Sequence, residues 1–176
     1  MRRLKVKFVL TLIGIATTIS CSAKVPSDKS TSQPIVATDT IMHKAVGDSI
    51  YRVITNAKKV EIASLSLQSD STSHTISKKV SAKDIGLMKF IATNPKNYLT
   101  DTPVYGVFIP QFQATYTQKK VKVTLKYDFG LRKWGIFDAE DKQIAMFDLV
   151  SDNMLRFACK MFPDNQFFHE LLLTRE

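Results

Sequence analysis

The chain has 176 residues, with 25 Lys and Arg against 16 Asp and Glu, for a formal charge of +9. Its two cysteines, Cys21 and Cys159, allow one internal disulfide at most, so a disulfide-built scaffold is excluded. Arg2, Arg3, Lys5 and Lys7 precede an apolar run of twelve residues, Phe8 to Ile19, diluted by Thr11, Thr17 and Thr18. A spanning helix needs roughly 20 apolar residues. A basic start followed by a short apolar run has instead the layout of an export signal.

Cys21 stands at the end of that run, with the small Ser20 before it and the polar stretch Ser22-Ala23-Lys24-Val25-Pro26-Ser27-Asp28-Lys29-Ser30 after it. This junction resembles bacterial lipoprotein precursors, although Thr18 departs from the bulky aliphatic residue of that pattern. The resemblance implies cleavage before Cys21 and acylation of its thiol, with residues 1–20 as the signal and 21–37 as a flexible tether. It also implies anchoring in the cell envelope, with Ser22 after the cysteine fitting the outer membrane by analogy. Cleavage after Ala23, giving a soluble exported protein, is the alternative. With Cys21 acylated, Cys159 has no partner; without the lipid, a Cys21–Cys159 bridge is open. The four basic residues of the signal leave with it, so 21 of 25 remain against 16 acids, a mild surplus suited to anionic surfaces. Nucleic acid is not an expected partner of an exported lipoprotein.

Residues 38–176 are expected to form one domain. Ile41, Ala45, Val46, Ile50, Val53, Ile54 and Ala57 share a helical stripe, with Thr38 or Asp39 at its start. A strand is expected from Lys58 to Leu67, then a loop over Gln68 to Thr75. Ser81 with Asp84 three residues later opens a short helix that Asn94-Pro95 closes. From Val104 the period is two. A strand interrupted at Pro110 carries Phe108, Phe112, Ala114 and Tyr116 on one face. The next places Val121, Val123, Leu125 and Tyr127 against Lys120, Lys122, Thr124 and Lys126. "KWGIFDA" and "QIAMFDL" add two strands around Glu140-Asp141-Lys142. Two helices follow, one through Met154, Leu155, Ala158, Cys159, Met161 and Phe162, the other through Phe167, Phe168, Leu171 and Leu172. The expected architecture is α+β, a curved antiparallel meander of four to five strands with helices before and after it packed on one face.

No set of residues has the spacing of a catalytic or metal site, and no cofactor is implied. Cys159 lies on an apolar stripe, where a thiol is an inert core residue, so pairing with His169 for nucleophilic catalysis is not expected. His43, His74 and His169 are far apart in sequence, without metal-ligand spacing. Asp128, Asp138 and Asp148 recur every ten residues, but in an antiparallel meander only the ends of alternate strands lie at the same edge, so Asp128 and Asp148 can share one with Arg132 or Lys133 while Asp138 sits at the other. Ion pairing at strand ends is their expected role. "DFG", Asp128 to Gly130, matches the kinase magnesium motif by letter alone.

The directional surface feature is a lysine face: Lys119, Lys120, Lys122, Lys126 and Lys133, helped by Lys58 and Lys59. It is a candidate contact for an anionic envelope polymer, a head group or an acidic protein; the competing role is simple solvation of an exposed sheet. Between Lys58 and Phe168, "VEIASLSL", "NPKNYL", "FIPQFQATY", "DFGLRKWGIFDAEDKQIAMFDL" and "FPDNQFF" are similar to small bacterial lipoproteins with one α+β domain and no known activity. That resemblance implies location and fold class and transfers no site residue. The functional expectation is a non-enzymatic, lipid-anchored binding module. A hydrolase or small-ligand carrier with a site assembled from distant residues is the alternative.

Overall fold

A computed structural model describes residues 41–67, 73–103 and 106–175. The expected signal, the tether and Cys21 lie outside the described residues, as do residues 68–72 of the expected loop. The chain is α+β, with four α-helices and one seven-stranded antiparallel sheet among the described residues. The order of elements is α1 (Ile41–Asn56), β1 (Lys59–Leu67), β2 (Ser73–Lys79), α2 (Ala82–Thr93), β3 (Tyr98–Thr100), β4 (Phe112–Gln118), β5 (Val121–Asp128), β6 (Lys133–Phe137), β7 (Gln143–Leu149), α3 (Asn153–Met161) and α4 (Gln166–Leu173). Across the sheet the strands run β2-β1-β4-β5-β6-β7-β3.

β4 to β7 form the expected meander, each strand pairing with the next. The sheet is nevertheless larger than four to five strands. Ser73 to Thr75, expected in a loop, begin β2, which pairs with β1 along its length, and β3 adds a short edge beside β7. Nor do the helices simply precede and follow the strands, since α2 stands between β2 and β3. Pro110 lies before β4 rather than within it, and the ladder is carried past the strand end by Gln111, whose N–H donates to Tyr127 O at 2.9 Å.

Local chemistry accounts for the helix boundaries. Ser81 caps α2, its Oγ accepting from the Asp84 N–H at 3.2 Å and donating to the Asp84 carboxylate at 2.7 Å. Asn94 ends the helix ahead of Pro95. Gly47 breaks α1 with φ 73 and ψ 170, a left-handed backbone that a residue with a Cβ adopts only under strain. No described helix is long and apolar enough to cross a membrane.

The core forms where alternating strand residues meet the apolar stripes of the helices. Phe112, Ala114, Tyr116, Val123, Leu125, Tyr127, Trp134, Ile136 and Phe147 supply the sheet's share. Met42, Val53 and Ile54 of α1, Ile85 and Met88 of α2, Met154 and Leu155 of α3 and Phe168 of α4 join the same cluster. Trp134 stacks on Tyr127 at 5.5 Å and meets Phe147 at 4.9 Å. The Phe168 ring meets Phe129 edge-on at 5.7 Å and Phe162 at 6.3 Å, tying α4 to the sheet's end and to α3.

Candidate functional site: two halves of the outward sheet face

Residues that alternate with the core set point to the other side of the sheet. The register arranges those of β2, β1, β4 and β5 in rows. One row holds Ser77, Ala63, Gln113 and Lys126; the next, Lys79, Glu61, Thr115 and Thr124; a third, Lys59, Thr117 and Lys122. β6 and β7 continue the face with Lys133, Gly135, Phe137, Met146 and Asp148.

The β6–β7 half is covered. After β3 the chain returns to β4 over this face, and its described residues are pinned at both ends. At one end Lys133 donates to Asp101 at 2.5 Å, to the Thr102 carbonyl and to Asp148. Asp148 in turn accepts from the Thr102 N–H at 3.1 Å and hydroxyl at 2.6 Å. At the other end Asp128 accepts the N–H of Ile109 at 2.7 Å and of Leu131 at 2.9 Å. Between them Phe108 stacks on Phe137 at 6.3 Å. Gly135 lies where a Cβ would meet Phe137 at 2.9 Å and Met146 at 3.0 Å, so the close packing of this half requires its bare backbone.

Lys133 is therefore corrected as a surface residue: only 6% of it is exposed. Burial works against its charge, but the hydrogen bonds it donates to Asp101 and Asp148 outweigh it and hold the ammonium above the ordinary lysine range. Burial likewise opposes ionisation of Asp148, and the hydrogen bonds from Lys133 and Thr102 prevail, keeping its carboxyl below the ordinary range. A cavity of about 250 Å³ opens beside the crossing, lined by Asp101, Pro103, Phe108, Leu131, Lys133 and Met146. All three ammonium protons of Lys133 already have acceptors, so this cavity holds a clamp rather than a free cation for a ligand.

The β2-β1-β4-β5 half is different. Lys58, Lys79, Lys119, Lys120 and Lys122 are exposed, and none forms an ion pair with another described residue. Lys119, with φ 55, and Lys120 make the tight β4–β5 turn. Lys59 is 3.3 Å from Glu61. Lys126 is engaged: its ammonium lies 2.6 Å from Asp141 and 4.7 Å from the centre of the Phe137 ring. Of the five lysines singled out in the sequence, Lys119, Lys120 and Lys122 thus share an open surface, Lys126 marks its border and Lys133 lies inside the clamp. Lys79 joins that surface from β2, whose first three residues fall in the expected loop. A trough of about 300 Å³ crosses the face, lined by Glu61, Ala63, Ser77, Lys79, Gln113 and Thr115.

The structure does not bring the remaining candidates together. Cys159 is buried, 7% exposed, and burial pushes its thiol up, against the activation a nucleophile needs. His169 is exposed on α4. His43 stacks on Tyr51 at 4.7 Å and bonds Asp48 at 2.5 Å, while His74 lies in β2. Asp138 accepts two amides of its own turn, from Glu140 at 3.0 Å and Lys142 at 2.8 Å. No group of three or more His, Cys, Asp or Glu among the described residues is placed to hold a metal ion. No family model matches the chain, and no curated protein or solved structure matches it.

Proposed function

We propose that this chain is a lipid-anchored protein of the cell envelope, probed at the outer membrane first, whose domain is a non-enzymatic binding module. Cys21 would carry the lipid, residues 21–37 the tether, and the open half of the outward face the contact with an anionic partner. The observation that carries the reading is the gathering of Lys58, Lys59, Lys79, Lys119, Lys120 and Lys122 at one end of β2, β1, β4 and β5, with Glu61 as the acid among them. Lysines on an ordinary solvated sheet are commonly interspersed with acids; here Lys59 pairs with Glu61, and the other five lack an acidic partner among the described residues. The cavity beside the crossing favours a small-ligand carrier as a second reading, but its charged groups are already committed to one another.

Two experiments test the two parts separately. Cys21→Ala is expected to move the protein out of the membrane fraction, whereas a chain cleaved after Ala23 would fractionate as before. Photo-crosslinking from position 122 in intact cells is expected to give one dominant adduct that disappears when Lys59, Lys79 and Lys119 are changed to Glu. An adduct indifferent to those changes would contradict the basic contact.

A further inference from the structure

We infer that the trough on the open half is a binding site for an acidic saccharide. This rests on the reading that the basic face meets an anionic partner, and it names the partner's chemistry. The walls are Ser77, Gln113 and Thr115, with Glu61 and Lys79 facing each other as cross-strand neighbours. Ala63, 2% exposed and outside the hydrophobic core cluster, is the small floor residue that leaves the space open. The volume, about 300 Å³, is at the lower end of the range for small-ligand clefts.

The lining decides the class of ligand. It offers a hydroxyl from Ser77, an amide from Gln113, a carboxylate and an ammonium; the side chains of Ser77, Gln113 and Lys79 have no partner among the described residues. Such alternating donors and acceptors match the hydroxyls of a sugar ring. A protein partner would require exposed aromatic or large aliphatic anchors at the centre of its contact; Ile62, the large aliphatic residue of the lining, is 1% exposed and belongs to the core. A bilayer would require exposed apolar side chains to enter it, and the apolar residues of the lining, Ile62 and Ala63, are both buried. Negative charge on the saccharide follows from the surroundings. Lys59 and Lys122 occupy the row beside the trough, both opposite Thr117. Two strand spacings separate them, roughly 10 Å, so a chain lying across the strands would present successive acidic groups to both. The polymer therefore uses its ring hydroxyls in the trough and its carboxylates, phosphates or sulfates on the lysines.

Calorimetry on the full chain in detergent, with a galacturonic acid hexamer as probe, tests this. Poly-glutamate of the same charge supplies the anion without the sugar. Ser77→Trp fills the trough from an exposed edge-strand position, and Gln113→Ala removes one polar group without adding bulk; circular dichroism checks that each variant folds. The expected result is binding of the hexamer that falls at least about tenfold in Ser77→Trp and in Lys59→Glu/Lys122→Glu, the loss of one or more charge-assisted contacts. Gln113→Ala is expected to weaken the hexamer and leave poly-glutamate unchanged. Hexamer binding that needs the lysines yet ignores both trough variants, or poly-glutamate binding with no hexamer binding, overturns the saccharide inference and leaves the basic-face reading standing. Indifference of both ligands to the lysine changes, or no binding of either, overturns both.

Discussion

Lys122 and Lys133 both point away from the core, on strands next to each other in the sheet, yet one is exposed and the other is 6% exposed. What separates them is the chain that crosses above. Over β6 and β7 it brings Asp101, Thr102 and Phe108 down onto the sheet; over β2, β1 and β4 no such cover is found among the described residues. Strand alternation decides which side of a sheet a residue faces, and the connections decide whether that side is surface. One half of the face becomes a second, small interior held by ion pairs, and the other is left as the candidate contact surface.

The difference is open to direct attack. Removing the Lys133 ammonium strands two carboxylates, so Lys133→Met, which keeps the aliphatic stem, is expected to cost about 3 kcal/mol in urea unfolding. Adding Asp148→Asn to that variant removes one stranded charge and should recover part of the loss. At the other end of the crossing, Asp128→Ala leaves the Ile109 and Leu131 amides without their acceptor and is expected to cost about 2 kcal/mol.

Acid should loosen the covered half. A carboxyl held below its ordinary value, as in Asp148, stabilises fully above the unfolded value of about 3.9 and loses that contribution as pH falls through the folded value. The raised Lys133 works the other way. Its contribution is present below the unfolded value of about 10.4 and is lost as pH rises through the folded value. The Thr102 amide, bonded to Asp148, should therefore gain exchange beyond the intrinsic chemical rate as pH drops below about 4, and Asp148→Asn should abolish that dependence. Smallest of all, Lys122→Ala and Lys119→Ala are expected to change stability by no more than about 0.5 kcal/mol, because nothing among the described residues depends on them.

Much of this was readable in the sequence, and the failures have physical causes. β5 announced itself through Val123, Leu125 and Tyr127 against Lys122, Thr124 and Lys126, since a half-buried strand must alternate. β2 gave no such signal. Its one large apolar residue, Ile76, is 59% exposed, and its strand geometry comes from pairing with β1 rather than from a buried face of its own. β3 has only three residues, too few to show a period. Lys133 was placed on the correct side, but its cover comes from residues some thirty positions earlier. One local clue was present: every residue of "KWGIF" is buried, and Gly135 and Phe137 on the outward side are the marks of a strand covered on both faces.

Lysine reactivity tests the central claim most directly. Brief acetylation of the purified full chain and of intact cells, read out residue by residue by mass spectrometry, compares the two halves within one molecule. The account predicts fast modification of Lys59, Lys79 and Lys122 in the purified chain with Lys133 slowest, and selective shielding of the first three in cells. Lys133 reacting as fast as Lys122, or Lys59, Lys79 and Lys122 reacting equally in both settings, would contradict it.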